Sequence, residues 1–233
     1  MDNRKLVNVL IFSVITVLLC LASIKALNST VASLKYYSVK NSIDSWNNGE
    51  QPAIEEYKAA LINATDTVNY QRDMAFYSDL LAEVLQWGMY FGFENGVEST
   101  QADIMDLYNN SIAMRPSWPV TWGNQAFLKW QLQYHNDDIS YDLTRANELG
   151  VSTPEIHILM TRLGYSFLKS NLSLYLKFNA TISHRFELGL RNKLSTSAII
   201  HIVEAKEGTD VGCLWLKQAN GPDWVYKKLK CNQ

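Results

Sequence analysis

Residues 120–167 read VTWGNQAFLKWQLQYHNDDISYDLTRANELGVSTPEIHILMTRLGYSF, and the way this stretch is punctuated decides the fold. Its first part places Trp122, Ala126 and Trp130 four residues apart, so the three share one stripe of a helix. His135-Asn136-Asp137 supplies a turn. The segment from Asp138 puts Ile139, Leu143 and Ala146 on an inward face and closes at Gly150, the residue type that commonly follows a helix. Thr153-Pro154-Glu155 reads as N-cap, first-turn proline and an acid that answers the backbone dipole. It opens a helix with Ile156, Leu159, Met160, Leu163 and Phe167 inward. Short breaks between 3.6-residue periodicities predict helical hairpins.

The same grammar extends toward both ends. Gln51-Pro52 opens AIEEYKAALINA, with Ile54, Tyr57 and Leu61 on one face. A long helix is expected from about Tyr70 to Phe91, burying Met74, Tyr77, Leu81, Val84, Leu85 and Gly88 and ended by Gly92 and Gly96. QADIMDLYNNSIAM follows with Ile104, Tyr108, Ser111 and Ile112 in register, up to the stop Arg115-Pro116-Ser117-Trp118-Pro119. Beyond Leu172, helical spacing runs through Tyr175, Phe178, Ile182 and Phe186. In the tail, Ile199, Ile200, Ile202 and Val203 would suit a strand. Two or three short helices are the favoured reading, capped by Ser195 and Thr209 and ended by Gly208 and Gly221.

Tyr57/Ala60, Tyr108/Ser111 and Leu143/Ala146 align as the second helices of three units, and the last two units are spaced as tetratricopeptide repeats are. One hairpin cannot cover its own apolar side. Neighbours therefore stack, and small residues at Ala60, Ser111 and Ala146 let backbones approach.

Residues 6–27, LVNVLIFSVITVLLCLASIKAL, form an apolar run interrupted by Asn8 and Lys25. About 20 such residues cross a hydrocarbon layer of roughly 30 Å, and Lys25 can snorkel to the interface. A cleaved signal peptide is the competing reading, for which Arg4 and Lys5 are suitable flanks. Its small-x-small cleavage site is met only by Ile24-Lys25-Ala26, so an uncleaved anchor is expected. Arg4, Lys5 and the terminal amine argue for a cytoplasmic N-terminus, against which Lys25, Lys35 and Lys40 on the far side weigh. The expected plan is a cytoplasmic segment 1–5, a transmembrane helix 6–27 and a juxtamembrane segment 28–50. A tetratricopeptide-like all-α domain, 51–194, and a helical cap, 195–233, complete it. With Cys20 inside the span, Cys213 and Cys231 remain as a pair that suits an oxidising compartment; two separate reduced thiols are the alternative.

With 233 residues the chain has room for one domain plus a membrane segment, which excludes a multidomain enzyme. Lys+Arg number 21 against Asp+Glu 23, so no bulk positive field exists to hold nucleic acid. His135, His157, His184 and His201 are scattered, with no HExxH, and GxGxxG, P-loop and GxSxG patterns are missing. No metal, cofactor or catalytic residue is therefore expected. The acidic pairs Glu55-Glu56 and Asp137-Asp138 stand at helix starts, where the dipole explains them. Sequons at Asn28, Asn63, Asn109, Asn171 and Asn179 fall largely in or beside helices. The aromatic residues carry more information. In a tetratricopeptide stack the first helix of each hairpin lines a concave groove, which would place Phe127, Trp130, Gln131, His157, Thr161 and Tyr165 on it. Such a face can take a peptide or a glycan, whose pyranose rings stack on aromatic side chains. Core packing is the other reading of Trp118, Trp122 and Trp130.

Within RPSWPVTWGNQAFLKWQLQY, the residues Arg115-Pro116, Trp118-Pro119, Trp122, Asn124, Ala126 and Lys129 resemble the RPxWPYxWAxLAxxK signature of VpsP-type exopolysaccharide biosynthesis proteins. Val120 stands where that family often has Tyr, and Gly123 where it has Ala. The similarity extends to the plan of one N-terminal span, helical hairpins and a C-terminal cysteine pair. The resemblance implies an inner-membrane protein of a Gram-negative bacterium, working with machinery that makes or exports a biofilm polysaccharide. It implies no reaction, and it marks Arg115, Trp118 and Trp122 as characteristic. Two rival expectations are a glycan-modifying or glycan-cleaving enzyme of the same pathway and a cytoplasm-facing, peptide-binding adaptor of a secretion or pilus system.

Overall fold

The computed structural model describes residues 3–47, 49–94 and 96–231. Residues 1 and 2 of the expected cytoplasmic segment, and 232 and 233 of the expected cap, lie outside the described residues, as do the side chains of Arg4 and Lys5. The described residues are helical with no strand, so the aliphatic run near Ile199 is helix. The chain divides into two compact units, Met1–Pro116 and Ser117–Gln233.

The first unit holds α1 (Asn3–Asn47), α2 (Ile54–Tyr70), α3 (Ala75–Phe91) and α4 (Val97–Met114). The sequence divides 6–27 from a juxtamembrane segment 28–50, whereas α1 is one unbroken helix through both. The reason lies in residues 32–46. Ala32, Val39, Ile43 and Trp46 recur at helical spacing and are buried; Val39, Ile43 and Trp46 pack on Tyr57, Ala60 and Ala64 of α2 and on Leu80 and Val84 of α3. The helix thus changes neighbours without changing conformation. Its N-terminal part is long and apolar enough to cross a membrane, and none of that apolar stretch is buried.

α1 pairs with α2 and α3 with α4, while α3 also lies against α1 and α2. The expected helix from Tyr70 is corrected here. α2 runs on to Tyr70 because Ala64 and Thr67 still face the core, and the chain turns through Gln71–Met74, leaving Met74 exposed instead of buried. Gly92 ends α3 in the left-handed region at φ 72, with Phe93 N–H donating to Gly88 O at 2.8 Å. Gly88 itself is dictated by a close approach: a side chain there would run into the Tyr57 ring.

The second unit holds α5 (Pro119–Gln131), α6 (Asn136–Leu149), α7 (Pro154–Ser170) and α8 (Leu172–Arg191). The short helices α9 (Thr196–Ala205), α10 (Thr209–Gln218) and α11 (Asp223–Lys228) follow. α5 pairs with α6 and α7 with α8; α5 lies against α7, and α7 against α9. Leu143, Ile156, Leu163, Phe167, Ile182, Phe186 and Trp215 belong to one continuous core. Trp215 donates from its indole to Tyr175 Oη at 3.0 Å, which satisfies a buried N–H.

Several local expectations change. Gly150 ends α6, but not by adopting a positive φ; a Cβ there would lie 2.7 Å from Ile156 Cγ1 and 2.9 Å from Pro119 Cβ. Thr153 occupies the N-cap of α7 without a side-chain capping bond. Ser195, also at an N-cap, donates instead to Gly189 O at 2.8 Å. Gly208 serves as the N-cap of α10, with Thr209 its first residue, so it starts that helix and Lys206 closes α9. Asn171 caps α8 through its side chain and also donates to Asn136 Oδ1 at 2.8 Å. Cys213 and Cys231 are joined as a disulfide with Cα atoms 5.8 Å apart, tying α10 to the residues after α11.

Candidate functional site

Arg115 belongs to the first unit. It follows α4 directly, donates to Asp79 Oδ2 at 2.9 Å and lies over the Phe76 ring with its guanidinium carbon 6.0 Å from the centroid. Its place at a helix C-terminus and against a buried carboxylate accounts for an arginine at this point.

In the second unit, Trp118 is the N-cap of α5 and is exposed, while Pro119 takes the first helical position. Trp122 packs against the core and meets Tyr141 of α6 edge to face at 5.8 Å. One turn further, Phe127 and Trp130 lie 5.7 Å apart, Trp130 touches Phe167 at 6.2 Å, and Arg162 of α7 sits 6.0 Å from the Phe127 centroid. With exposed Gln131 beside them, these residues make a partly exposed aromatic face capped by one guanidinium. This is the portion of the expected groove that the structure brings together.

His157, Thr161 and Tyr165 do not join it. All three are buried, His157 under α8 and Tyr165 against Gly208 and Trp215. Thr161 Oγ1 donates to His157 O at 2.8 Å, and Tyr165 Oη donates to Gly208 O at 2.8 Å while its ring lies 4.6 Å from Trp215. His157 fits so closely under α8 that a Cβ on Gly189 would lie 2.8 Å from its own Cβ. Burial first, then the positive charges of Arg185 and His184, lower its pKa to about 4. These three residues are corrected from groove lining to core. α9 packs on α7, and α10 reaches Tyr165 through Gly208 and Trp215.

Two buried charges escaped the sequence reading. Lys129 Nζ on α5 pairs with Asp142 Oδ2 on α6 at 2.6 Å, with Asp142 almost wholly buried. Burial raises the Asp142 pKa against the lowering by Lys129, and the pair joins α5 to α6. Arg185 on α8 is 4% exposed and has no carboxylate. It donates instead to Asn147 O at 2.5 Å, Asn147 Oδ1 at 2.6 Å, Gly150 O at 2.8 Å and Val151 O at 2.6 Å, holding the carbonyl end of α6. The spacing Ile182, Arg185, Phe186, Gly189 was the available signal, since it puts the arginine on the apolar face.

Two open clefts lie elsewhere on the surface. One, about 420 Å³, lies between α1 and α2 and is lined by Ser38, Asn41, Ser45, Trp46, Glu50 and Glu56 among others. Its two carboxylates have local duties: Glu56 accepts from Ala53 N–H at 3.1 Å, and Glu50 accepts from Ser45 Oγ. The other, about 600 Å³ and wide open, is bordered by Lys193, Thr196, Ser197, His201, Glu204 and Lys228. Among the described residues no group of His, Cys, Asp and Glu is arranged to hold a metal ion.

The molecule is therefore an all-helical protein of paired helices with one long apolar N-terminal helix. Set against protein-family models, curated proteins and solved structures, the chain matches none of them.

Proposed function

We propose that this chain is a membrane-anchored scaffold, with α1 as its single span and its hairpins stacked in the tetratricopeptide manner. It would sit in the inner membrane of a Gram-negative bacterium, with the hairpins in the periplasm, and act as an accessory of exopolysaccharide assembly or export. The observation that carries this reading is the double use of α1, whose apolar part is bare and whose continuation supplies core residues to the first unit. A removable leader would not be expected to run without a break into the packing of the domain it delivers. Three further observations support it. First-helix-to-first-helix contact recurs in each unit. The Cys213–Cys231 bond is of a kind that oxidising compartments retain. The resemblance at Arg115, Trp118, Trp122 and Lys129 points to polysaccharide machinery.

The docking face in this proposal is Phe127, Trp130 and Gln131 with exposed Trp118, taking a partner protein or the glycan itself. Alkaline phosphatase and fluorescent-protein fusions at the C-terminus test the topology: phosphatase activity with a dark fluorescent fusion is expected, and the reverse would favour the cytoplasmic adaptor. Purification of the anchored protein from membranes tests the role. Polymerase or export subunits should accompany it, whereas polymer cleavage by the purified protein alone would replace the scaffold with an enzyme.

A further inference from the structure

α1 carries a ruler from its apolar part into the first unit. Heights above Leu27, the end of the apolar run, follow at about 1.5 Å per residue because no break intervenes between Asn3 and Asn47. Lys35 stands about 12 Å up on this scale. Its ammonium donates to Asn63 Oδ1 at 2.9 Å and to Asp66 Oδ2 at 2.7 Å, which fixes the level of α2 as that helix returns toward Leu27. Tyr70, four residues past Asp66, is then about 6 Å nearer the level of Leu27. The Tyr36 ring meets those of Phe76 and Tyr77 at 5.3 and 5.9 Å, so the start of α3 is held at the same end. The turn Gln71–Met74 consequently lies within about 6–10 Å of the level of Leu27. A lipid headgroup layer is about 5–7 Å deep on each side of the hydrocarbon.

The surface presented there suits that layer. Leu34 is 69% exposed, Tyr70 42% and Met74 39%, and Arg72 and Asp73 are exposed between the last two. Apolar and phenolic groups beside one cation and one anion make an amphipathic tip of little net charge, the composition of interfacial anchors. We propose that the α2–α3 turn is a second membrane contact. In it Tyr70 and Met74 reach into the headgroup layer of the leaflet from which α1 emerges, with Arg72 toward lipid phosphates and Leu34, about 10 Å above Leu27, just beyond that layer. The inference rests on α1 being an uncleaved span. It adds that the first unit stands on the bilayer at two points and cannot swivel freely about the rod.

Depth measurement on the full chain tests both statements separately. In vesicles of phosphatidylethanolamine and phosphatidylglycerol, an environment-sensitive dye is placed on native Cys20 or, in a Cys20→Ser background, on Met74→Cys, with Tyr90→Cys as the exposed site at the opposite end of α3. Labelling is done without reductant so that Cys213 and Cys231 stay joined. The Cys20 dye should be quenched by mid-chain nitroxide lipids. The Met74 dye should lose emission and shift to the blue with headgroup nitroxides, and the Tyr90 dye should do neither. A quenched Cys20 dye with a Met74 dye as unquenched as that at Tyr90 overturns the second contact while leaving the span intact. A water-exposed Cys20 dye overturns the span and the inference with it. Should Met74→Cys fold poorly, Tyr70→Cys reads the same depth and decides in the same way.

Discussion

Arg185→Ala removes the guanidinium that holds three carbonyls at the end of α6, and the structure sets the size of the loss. Of the three carbonyls it serves, that of Val151 belongs to an exposed residue and can turn to water, that of Asn147 is half covered, and that of Gly150 is buried. Gly150 O keeps a long bond from Thr153 N–H at 3.3 Å, so what is lost is charge-assisted hydrogen bonding, worth about 1.5–3 kcal/mol, and the space vacated by the arginine stem adds a share of similar size. Relief of the guanidinium's own desolvation, visible as the burial-lowered pKa of Arg185, offsets part of this. The expected net loss is about 3 kcal/mol. Arg185→Lys should lose about half as much, because an ammonium on a flexible stem cannot span several carbonyls at once. Arg185→Met keeps the volume and isolates the polar contribution. Urea unfolding of the full chain in detergent, followed by tryptophan fluorescence, reads all three midpoints. If Arg185→Met is as stable as the parent, the four hydrogen bonds contribute nothing net and the reasoning is refuted.

His157 gives a pH dependence with a definite sign. Its folded pKa of about 4 lies below the ordinary value of 6.5, so the unfolded chain binds the extra proton. Stability from this group is fully present above about pH 6.5 and is lost as pH falls toward 4, by about 3 kcal/mol in all. The stability difference between parent and His157→Gln should therefore shrink across that window, and no change would contradict the burial. Gly164→Ala should cost about 1–3 kcal/mol, because its Cβ would lie 2.6 Å from Ile182 Cγ2 and 2.8 Å from Trp215 Cη2; a neutral thermal melt would count against this close approach. Cys231→Ser should lower stability by about 3 kcal/mol and raise amide exchange in α11 and the end of α10, since the bond closes a separation of 18 residues. Unchanged exchange at Val225 would show the tail held by packing alone.

The hairpins were legible because their breaks use residues with few other options. Pro119 and Pro154 fix helix starts and Gly92 fixes an end, whereas Pro52, expected at a first helical position, precedes the Ala53 N-cap of α2. The aligned positions Tyr57, Ala60, Tyr108, Ser111, Leu143 and Ala146 are all buried, because spacing on a helix settles which face is inward. It does not settle how many neighbours that helix has. That is why His157, Thr161 and Tyr165 read as an open surface and are core, and why α1 beyond Leu27 read as a separate juxtamembrane segment. Short-range chemistry misled in a different way. Thr153 and Ser195 occupy N-caps without capping through their side chains, and Gly150 is required by Ile156 and Pro119 rather than by its backbone angle. Arg185 was missed because, apart from Asn147 Oδ1, its partners are backbone carbonyls, which every sequence has and none displays.

The absence of a joint in α1 has a mechanical consequence. Apolar helices answer a thinner or thicker bilayer by leaning, and a stiff rod passes the lean on in full. Asn47 stands about 30 Å beyond Leu27, so each ten degrees of lean would sweep the far end of α1 sideways by about 5 Å. With α1 as the proposed span, the far end of the helix would act as a pointer to changes in the lipid around it, and the proposed contact at the α2–α3 turn would resist them.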